Sequence, residues 1–299
     1  MSDINNKKLL PEFLFKRLSE QYGTQVAEEI ARGCGERFFT LRANSLKTDI
    51  ESVKDELTSA GIRFQTVPWY SDALVLPEVR ENAVQNLPLY KEGKIYLQSL
   101  SSMLPPLILA PKAGENILDM TAAPGGKTTQ LFSLSGGAAQ ITACEKDKLR
   151  FERMKYNLAL QGATRVNALL TDALKLDDFL RFDKILLDAP CSGSGTLDLR
   201  FPLKISEKLV ENCSKLQERL LFKALKMLKP GGEMVYSTCS ILSCENEEVL
   251  SRVLPKAGGE LIAITPFPEL PYLPSETGTL CLRPTELYEG FFVAKIRKR

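Results

Sequence analysis

The chain has 299 residues, 44% hydrophobic and 25% charged, with a formal net charge of +2. This is an ordinary globular composition, long enough for one large domain and a smaller one. No apolar run approaches the roughly 20 residues of a membrane helix, and MSDINNKK at the N-terminus lacks the apolar core of a secretory signal, so a cytoplasmic protein is expected.

Helix-like periodicity covers 10–32, and RFFTLRAN (37–44) reads as a strand. A helix follows over 49–60, with Thr48 or Asp49 as its cap and Gly61 as its stop. RFQTVP (63–68) and ALVLPE (73–78) read as two further strands joined by a turn. The simplest arrangement is a helix on a small antiparallel sheet, with 88–93 as a linker. Residues 1–95 hold 13 Lys and Arg against 14 Asp and Glu. Any nucleic-acid face there must come from placement rather than total charge. Beyond the linker the pattern changes to alternating strands (115–120, 140–145, 166–171, 184–189, 233–238) and helices (127–134, 147–161, 205–228, 245–254). Such alternation predicts a mostly parallel sheet covered on both faces. GFFVAKIRK (290–298) reads as a last strand. The division expected is 1–92 and 93–299.

The first strand of this second half runs into TAAPGGKTT (121–129) and then a helix. In an open α/β sheet, ligands bind beyond the carboxyl ends of the strands, and Gly125 and Gly126 let the backbone approach one closely. The loop is not a phosphate-binding P-loop, because Thr121 stands where the first glycine is required, and GxGxxG is also absent. About twenty residues on, Glu145 ends the next strand, where an acid suits the two hydroxyls of a ribose. Asp172, after the third strand, suits an adenine amino group. Asp119 could fix the loop or meet a cation.

The absence of histidine excludes Ser-His-Asp and Cys-His catalysis. Seven cysteines without paired CxxC knuckles argue against a metal site or a disulfide framework. Cys34, Cys144, Cys213, Cys244 and Cys281 read as structural thiols. Cys191 in DAPCSGSG (188–195) and Cys239 in YSTCS (236–240) differ, since each follows a β-run and sits in a turn of small residues. If their strands are neighbours, both flank one cleft beside the cofactor loop. One chemistry that wants a thiolate there is methylation of cytosine carbon 5: addition to carbon 6 makes carbon 5 nucleophilic enough to take a methyl group. Asp188 is placed to hold, or give a proton to, the ring nitrogen. From the residues alone, either cysteine could be the nucleophile.

TAAPGGKTT, DAPCSGSG and YSTCS, in this order and spacing, resemble the Sun/Fmu-type (RsmB-like) family of S-adenosylmethionine-dependent RNA cytosine-5 methyltransferases. LRANSLKT (41–48), LQSLSS (97–102), ENEEV (245–249) and the terminal GFFVAKIRK extend the resemblance over nearly the whole chain. It implies an α/β class I (Rossmann-like) methyltransferase fold preceded by a small α+β RRM-like domain. It implies S-adenosylmethionine contacts by Thr121, Ala122, Ala123, Pro124, Gly125, Gly126, Lys127, Glu145, Asp172 and Asp188. By the same resemblance Cys239 is the nucleophile and Cys191 assists product release. The expected substrate is ribosomal RNA, with transfer RNA next, and the expected state is a monomer without metal. A methyltransferase of DNA and a non-enzymatic RNA-binding assembly factor are the competing readings. Arg37, Arg42, Lys47 and the terminal KIRKR are candidate phosphate contacts. Two departures stand out: Thr121 replaces a cysteine of many relatives, and Arg283-Pro284 and Glu289-Gly290 replace His-Pro and Asp-Gly.

Overall fold

The computed structural model describes residues 10–79, 81–201, 204–275 and 278–299. The segment inspected for signal character therefore lies largely outside the described residues. Two helices lead the chain, α1 (Glu12–Tyr22) and α2 (Thr24–Gly33). The single helix expected over 10–32 is broken at Gly23, whose φ of +87° suits a residue without a Cβ.

A small domain follows: β1 (Phe39–Ala43), α3 (Ile50–Ser59), β2 (Gln65–Thr66), β3 (Ala73–Leu76), α4 (Glu81–Gln85), α5 (Pro88–Lys91) and β4 (Ile95–Leu97). Its antiparallel sheet has the order β2-β3-β1-β4, the split βαβ arrangement of ferredoxin-like and RRM folds. Asp49 caps α3, accepting from the Ser52 N–H at 2.8 Å, and Gly61 at φ +70° stops it. The linker expected at 88–93 is corrected. A short helix occupies it, and β4 beyond it pairs with β1, so this sheet runs past residue 92.

Strand alternation gives this sheet two buried faces. Leu41, Ala43, Leu74 and Leu76 pack with Val53 and Leu57 of α3. Ala73 and Val75 point the other way, into a core shared with Leu100, Met103 and Leu104 of the larger domain. An RRM reads RNA bases on this second face. Here the larger domain covers it, so the small domain cannot use that mode.

The larger domain comprises α6 (Leu100–Leu109), β5 (Asn116–Asp119), α7 (Gly126–Leu134), β6 (Gln140–Glu145), α8 (Lys148–Leu160), β7 (Asn167–Leu170), β8 (Phe182–Asp188), α9 (Glu207–Met227), β9 (Leu228–Thr238), α10 (Glu247–Ala257), β10 (Gly259–Ile262), β11 (Tyr272–Leu273), β12 (Thr279–Leu282) and β13 (Phe291–Lys298). The sheet order is β7-β6-β5-β8-β9-β13-β12-β11, with β10 also paired to β13. The five strands from β7 to β9 are parallel, and β13 runs antiparallel beside β9. Each central strand feeds two cores. Leu118, Ile185, Leu187, Tyr236 and Phe292 face α9, α10 and the leading helices. Ile117, Leu186, Val235, Phe291 and Val293 face α6, α7 and α8.

Sequence reading missed α6, and its interior Pro105 and Pro106 explain why. Pro106 leaves the Ser102 carbonyl without its helical donor, and the Gln98 side-chain amide donates to that carbonyl instead at 3.0 Å. No helix among the described residues is long and apolar enough to cross a membrane.

Candidate active site

The chain lays β6 and β7 outward from β5, then returns to place β8 on the other side of β5. That reversal opens a crevice beyond the carboxyl ends of β5 and β8. TAAPGGKTT leaves β5, DAPCSGSG leaves β8 and YSTCS ends β9, so topology alone gathers all three motifs there.

In the first loop Gly125 takes φ +100° just before α7. A Cβ on Gly126 would lie 2.8 Å from a ring carbon of Tyr96 in β4, so both glycines are needed for backbone shape. Asp119 is buried beneath the loop. Its Oδ2 accepts from the Thr128 hydroxyl at 2.7 Å, and its Oδ1 has no hydrogen-bond partner among the described residues. Burial, with the Asp188 charge nearby, pushes its carboxyl from 3.8 up to about 6.

Two adjoining cavities of about 220 Å³ each share Thr121, Ala123 and Asp188. Glu145, Asp172, Cys191 and Cys239 also line one. Ala122, Pro124, Gly126 and Lys127, with Tyr96 and Ser102, line the other. Gly125 lines neither and serves the turn. A wider groove of about 570 Å³ at the β2 edge gathers no nucleophile. Glu145 is only 3% exposed and accepts from the Asp147 N–H at 2.8 Å, with Arg150 3.5 Å away. Asp172 accepts from the Leu174 N–H at 3.0 Å.

Asp188 is held on three sides. Lys127 Nζ lies 2.7 Å from Oδ2, the Ser237 hydroxyl donates to Oδ1 at 2.8 Å, and Thr121 donates to its backbone carbonyl at 2.8 Å. Thr121, the departure from the relatives' cysteine, therefore ties the cofactor loop to the Asp188 turn. Burial alone would lower the Lys127 ammonium, but Asp188, Glu289 and Asp119 outweigh it and raise it.

Cys191 and Cys239 are free thiols whose sulfurs lie 2.7 Å apart. The hydrogen bond to Cys239 comes first among the causes that push the Cys191 thiol well up, followed by burial. The two sulfurs are within reach of a shared proton, and either can be its donor. Cys34, Cys144, Cys213 and Cys281 are buried, as expected. Cys244 is half-buried in a single 3-10 turn, 243–245, and accepts from Arg17 at 3.6 Å.

The turns carrying the two cysteines are bound to each other. The Gly195 N–H donates to the Cys239 carbonyl at 3.0 Å, and the Gly290 N–H to the Gly195 carbonyl at 2.8 Å. A Cβ on Gly195 would sit 1.9 Å from the Gly290 oxygen, so the DAPCSGSG turn and the GFF strand meet backbone to backbone. Sequence reading missed the side chain that joins these turns, Glu245. ENEEV served only as a mark of resemblance, although a serine follows each cysteine and an acid lies six residues past Cys239.

Of the candidate phosphate contacts Arg42 is corrected, and the others lie against carbonyls and carboxylates. Arg42 is 1% exposed and donates to Gln98 Oε1 at 2.9 Å, to the Gly126 carbonyl at 3.0 Å and to Thr129 Oγ1 at 2.6 Å. Lys47 donates to the carbonyls of Glu92 and Leu160, each at 2.8 Å, and so binds the end of α8 as a cation suits a helix C-terminus. Asn44 and Ser45 also reach this domain, at Gln161 and Ser133. LRANSLKT is thus an interdomain seam. Arg37 faces the carbonyls of Gly195 and Leu197, both at 3.4 Å. In the terminal KIRKR, Lys295 and Arg297 pair with Glu233, and Arg299 pairs with Glu260. Arg283 pairs with Glu29 of α2.

Residues 106–297 match the family model described as 16S rRNA methyltransferase RsmB/F, and residues 10–81 match the ferredoxin-like domain of RsmF/B-like methyltransferases. The ribosomal RNA small subunit methyltransferase F of Shewanella sediminis is 34% identical over 87% of this chain and 57% of its own length. The tRNA (cytosine(49)-C(5))-methyltransferase of Pyrococcus abyssi is 32% identical over 98% of this chain and 96% of its own. The chain spans about half the length of the Shewanella protein and of the Arabidopsis 25S rRNA (cytosine-C(5))-methyltransferase NSUN5. A solved methyltransferase homologue from Pyrococcus horikoshii superposes with a TM-score of 0.82 at 34% identity, covering 97% of this chain and all of that one. The fold, the three gathered motifs and these matches establish that the chain belongs to the RsmB/F family of S-adenosylmethionine-dependent RNA methyltransferases.

Proposed function

We propose that this chain forms 5-methylcytosine in RNA, ribosomal RNA first, with Cys239 as the nucleophile. One observation carries the reading: two thiols 2.7 Å apart on the rim of a cavity also lined by Glu145 and Asp172. The cavity suits S-adenosylmethionine. Glu145 and Asp172 offer acceptors for ribose and adenine, while Gly126 and Asp119 line the adjoining cavity, where the Asp119 Oδ1, unpartnered among the described residues, offers an acceptor for a cationic group. When bound, the cofactor supplies an electrophilic methyl group on its sulfonium sulfur.

Cys239 adds to carbon 6 of the cytosine, forming a carbon–sulfur bond and moving the ring electrons toward carbon 5. The thiol proton passes to the ring nitrogen, whose N–H then donates to Asp188, steadied by Lys127 and Ser237. Carbon 5 would then be the atom that receives the methyl group a bound cofactor supplies. The carbon 5 proton leaves to solvent, its bonding electrons restore the ring double bond as the carbon 6–sulfur bond breaks, and the departing Cys239 sulfur recovers its proton with Cys191 2.7 Å away to assist. The target base must be unpaired or flipped out of its stack.

The test is labelled methyl transfer into RNA and DNA pools, followed by bisulfite sequencing of ribosomal and transfer RNA from a strain lacking the gene. A single ribosomal cytosine is expected to lose its mark. Label confined to DNA defeats the reading. Loss confined to a tRNA position favours the second substrate, which the full-length match to the Pyrococcus abyssi enzyme supports.

Asp119 gives a pH prediction. Its carboxyl is raised from 3.8 to about 6 in the folded protein. The folded state therefore holds more protons than the unfolded between these values, and this group's contribution to stability falls as pH rises from about 4 through 6. A bound cation favours the carboxylate, so S-adenosylmethionine affinity is expected to weaken below pH 6. Asp119→Asn should bind weakly with no such dependence, as measured by calorimetry between pH 5 and 8.

A further inference from the structure

The strongest unassigned group is Glu245, fully buried in a 3-10 turn behind the two thiols. Four donors converge on its carboxylate. Ser192, next to Cys191, donates its N–H at 2.8 Å and its hydroxyl at 2.6 Å. Ser240, next to Cys239, donates its hydroxyl at 2.6 Å. Gln217 of α9 donates at 3.3 Å while also binding the Pro190 carbonyl at 2.9 Å. A further chain runs into the same group, because the Ile241 N–H reaches the Ser194 hydroxyl at 3.1 Å, which lies 2.9 Å from that of Ser240. With Ser240 giving its proton to Glu245, Ser194 must give its own to Ser240. The carboxylate thus fixes the direction of every hydroxyl between the two cysteine turns. The Glu245 carbonyl in turn accepts from Tyr236 at 2.6 Å, and Asn246 accepts from Thr238 at 2.6 Å while donating to the Ser240 carbonyl at 2.9 Å.

We propose that Glu245 is a positioning residue that sets the register of Cys191 against Cys239 and places a buried carboxylate behind the Cys191 turn. This rests on the reading of Cys239 as nucleophile. Its charge is among the causes that hold the Cys191 thiol up, after the bond to Cys239 and burial. Glu245 lines neither cavity, so it acts only through the residues it holds.

The test compares Glu245→Gln and Glu245→Asp with the wild-type chain for S-adenosylmethionine affinity, methyl transfer and the pH dependence of iodoacetamide alkylation at each cysteine, read by mass spectrometry. Glutamine keeps the volume but places an N–H against donors. Turnover is expected to fall about 10²-fold, the loss that roughly 1 Å of misplacement brings, with cofactor affinity unchanged. Alkylation of Cys191 should begin at lower pH, and aspartate should restore part of the charge effect but not the register. If Glu245→Gln does not fold, Ser192→Ala and Ser240→Ala remove one side each and leave the carboxylate. They should show smaller losses, with Cys191 alkylation beginning at no lower pH than in the wild-type chain because the charge remains. Wild-type turnover in the folded variants overturns the assignment. So does lost turnover in Glu245→Gln with an unchanged alkylation profile, the mark of a merely structural role. The alkylation readout needs no RNA, so failure of the wild-type chain to methylate RNA would defeat the proposed function separately.

Discussion

Cys191→Ala is expected to leave protein and RNA joined through a denaturing gel, while Cys239→Ala leaves them separate. On the proposed covalent route the carbon–sulfur bond forms at Cys239, so removing that sulfur should remove the adduct and with it most of the rate, at least about 10³-fold in turnover. Removing Cys191 leaves bond formation intact but takes away the neighbouring thiol that assists release. The adduct should then accumulate to near one per active site while turnover stops. The sulfurs are 2.7 Å apart, so Cys191 is within reach of an adduct on Cys239. Electrophoresis in denaturant with labelled RNA, with and without S-adenosylmethionine, is the measurement. Trapping by Cys239→Ala and not by Cys191→Ala would reverse the roles.

Most of the larger domain was legible because its signals are local. Strand-to-loop transitions at 119–121, 188–191 and 238–239 announce a parallel sheet whose carboxyl edge carries small and reactive residues. Glu145 and Asp172 were found by their place at strand ends. What escaped depends on contacts distant in sequence. Two prolines hid α6, because Gln98 and the surrounding packing replace what they take away. Glu245 looks like any acid opening a helix until the fold brings Ser192, 53 residues earlier, to within 2.6 Å. The basic residues misled for the opposite reason. A lysine or arginine in a strand or tail carries no local sign of whether it faces solvent, a carbonyl or a carboxylate. Only the packing of the two domains shows that Arg42 points inward and that Lys47 lies along the surface against the Glu92 and Leu160 carbonyls.

Arg42 carries the second large expected effect, because replacing it with methionine should both destabilise the chain and loosen the cofactor loop. Its guanidinium makes three hydrogen bonds in the seam between the domains, lies 5.4 Å from the centre of the Tyr96 ring, and has no carboxylate within ion-pair distance among the described residues. Burial lowers it to about 10, still far enough above neutral pH to keep its charge. Methionine fills similar space but leaves the Gln98 amide oxygen and the Thr129 hydroxyl oxygen short of a donor, at about 1–3 kcal/mol each, while the Gly126 carbonyl keeps the Thr129 hydroxyl at 2.9 Å. The expected loss is about 3–5 kcal/mol in denaturant unfolding. Lysine should recover little of this, since one ammonium cannot reproduce the planar fork. Gly126 opens α7 at the cofactor loop, so S-adenosylmethionine affinity should fall in whatever fraction remains folded, while the salt dependence of RNA binding stays as in the wild-type chain. A phosphate contact would behave in the opposite way, leaving stability alone and reducing the salt slope by about one. The two readings of Arg42 thus part on two independent measurements, and the buried fork favours the seam.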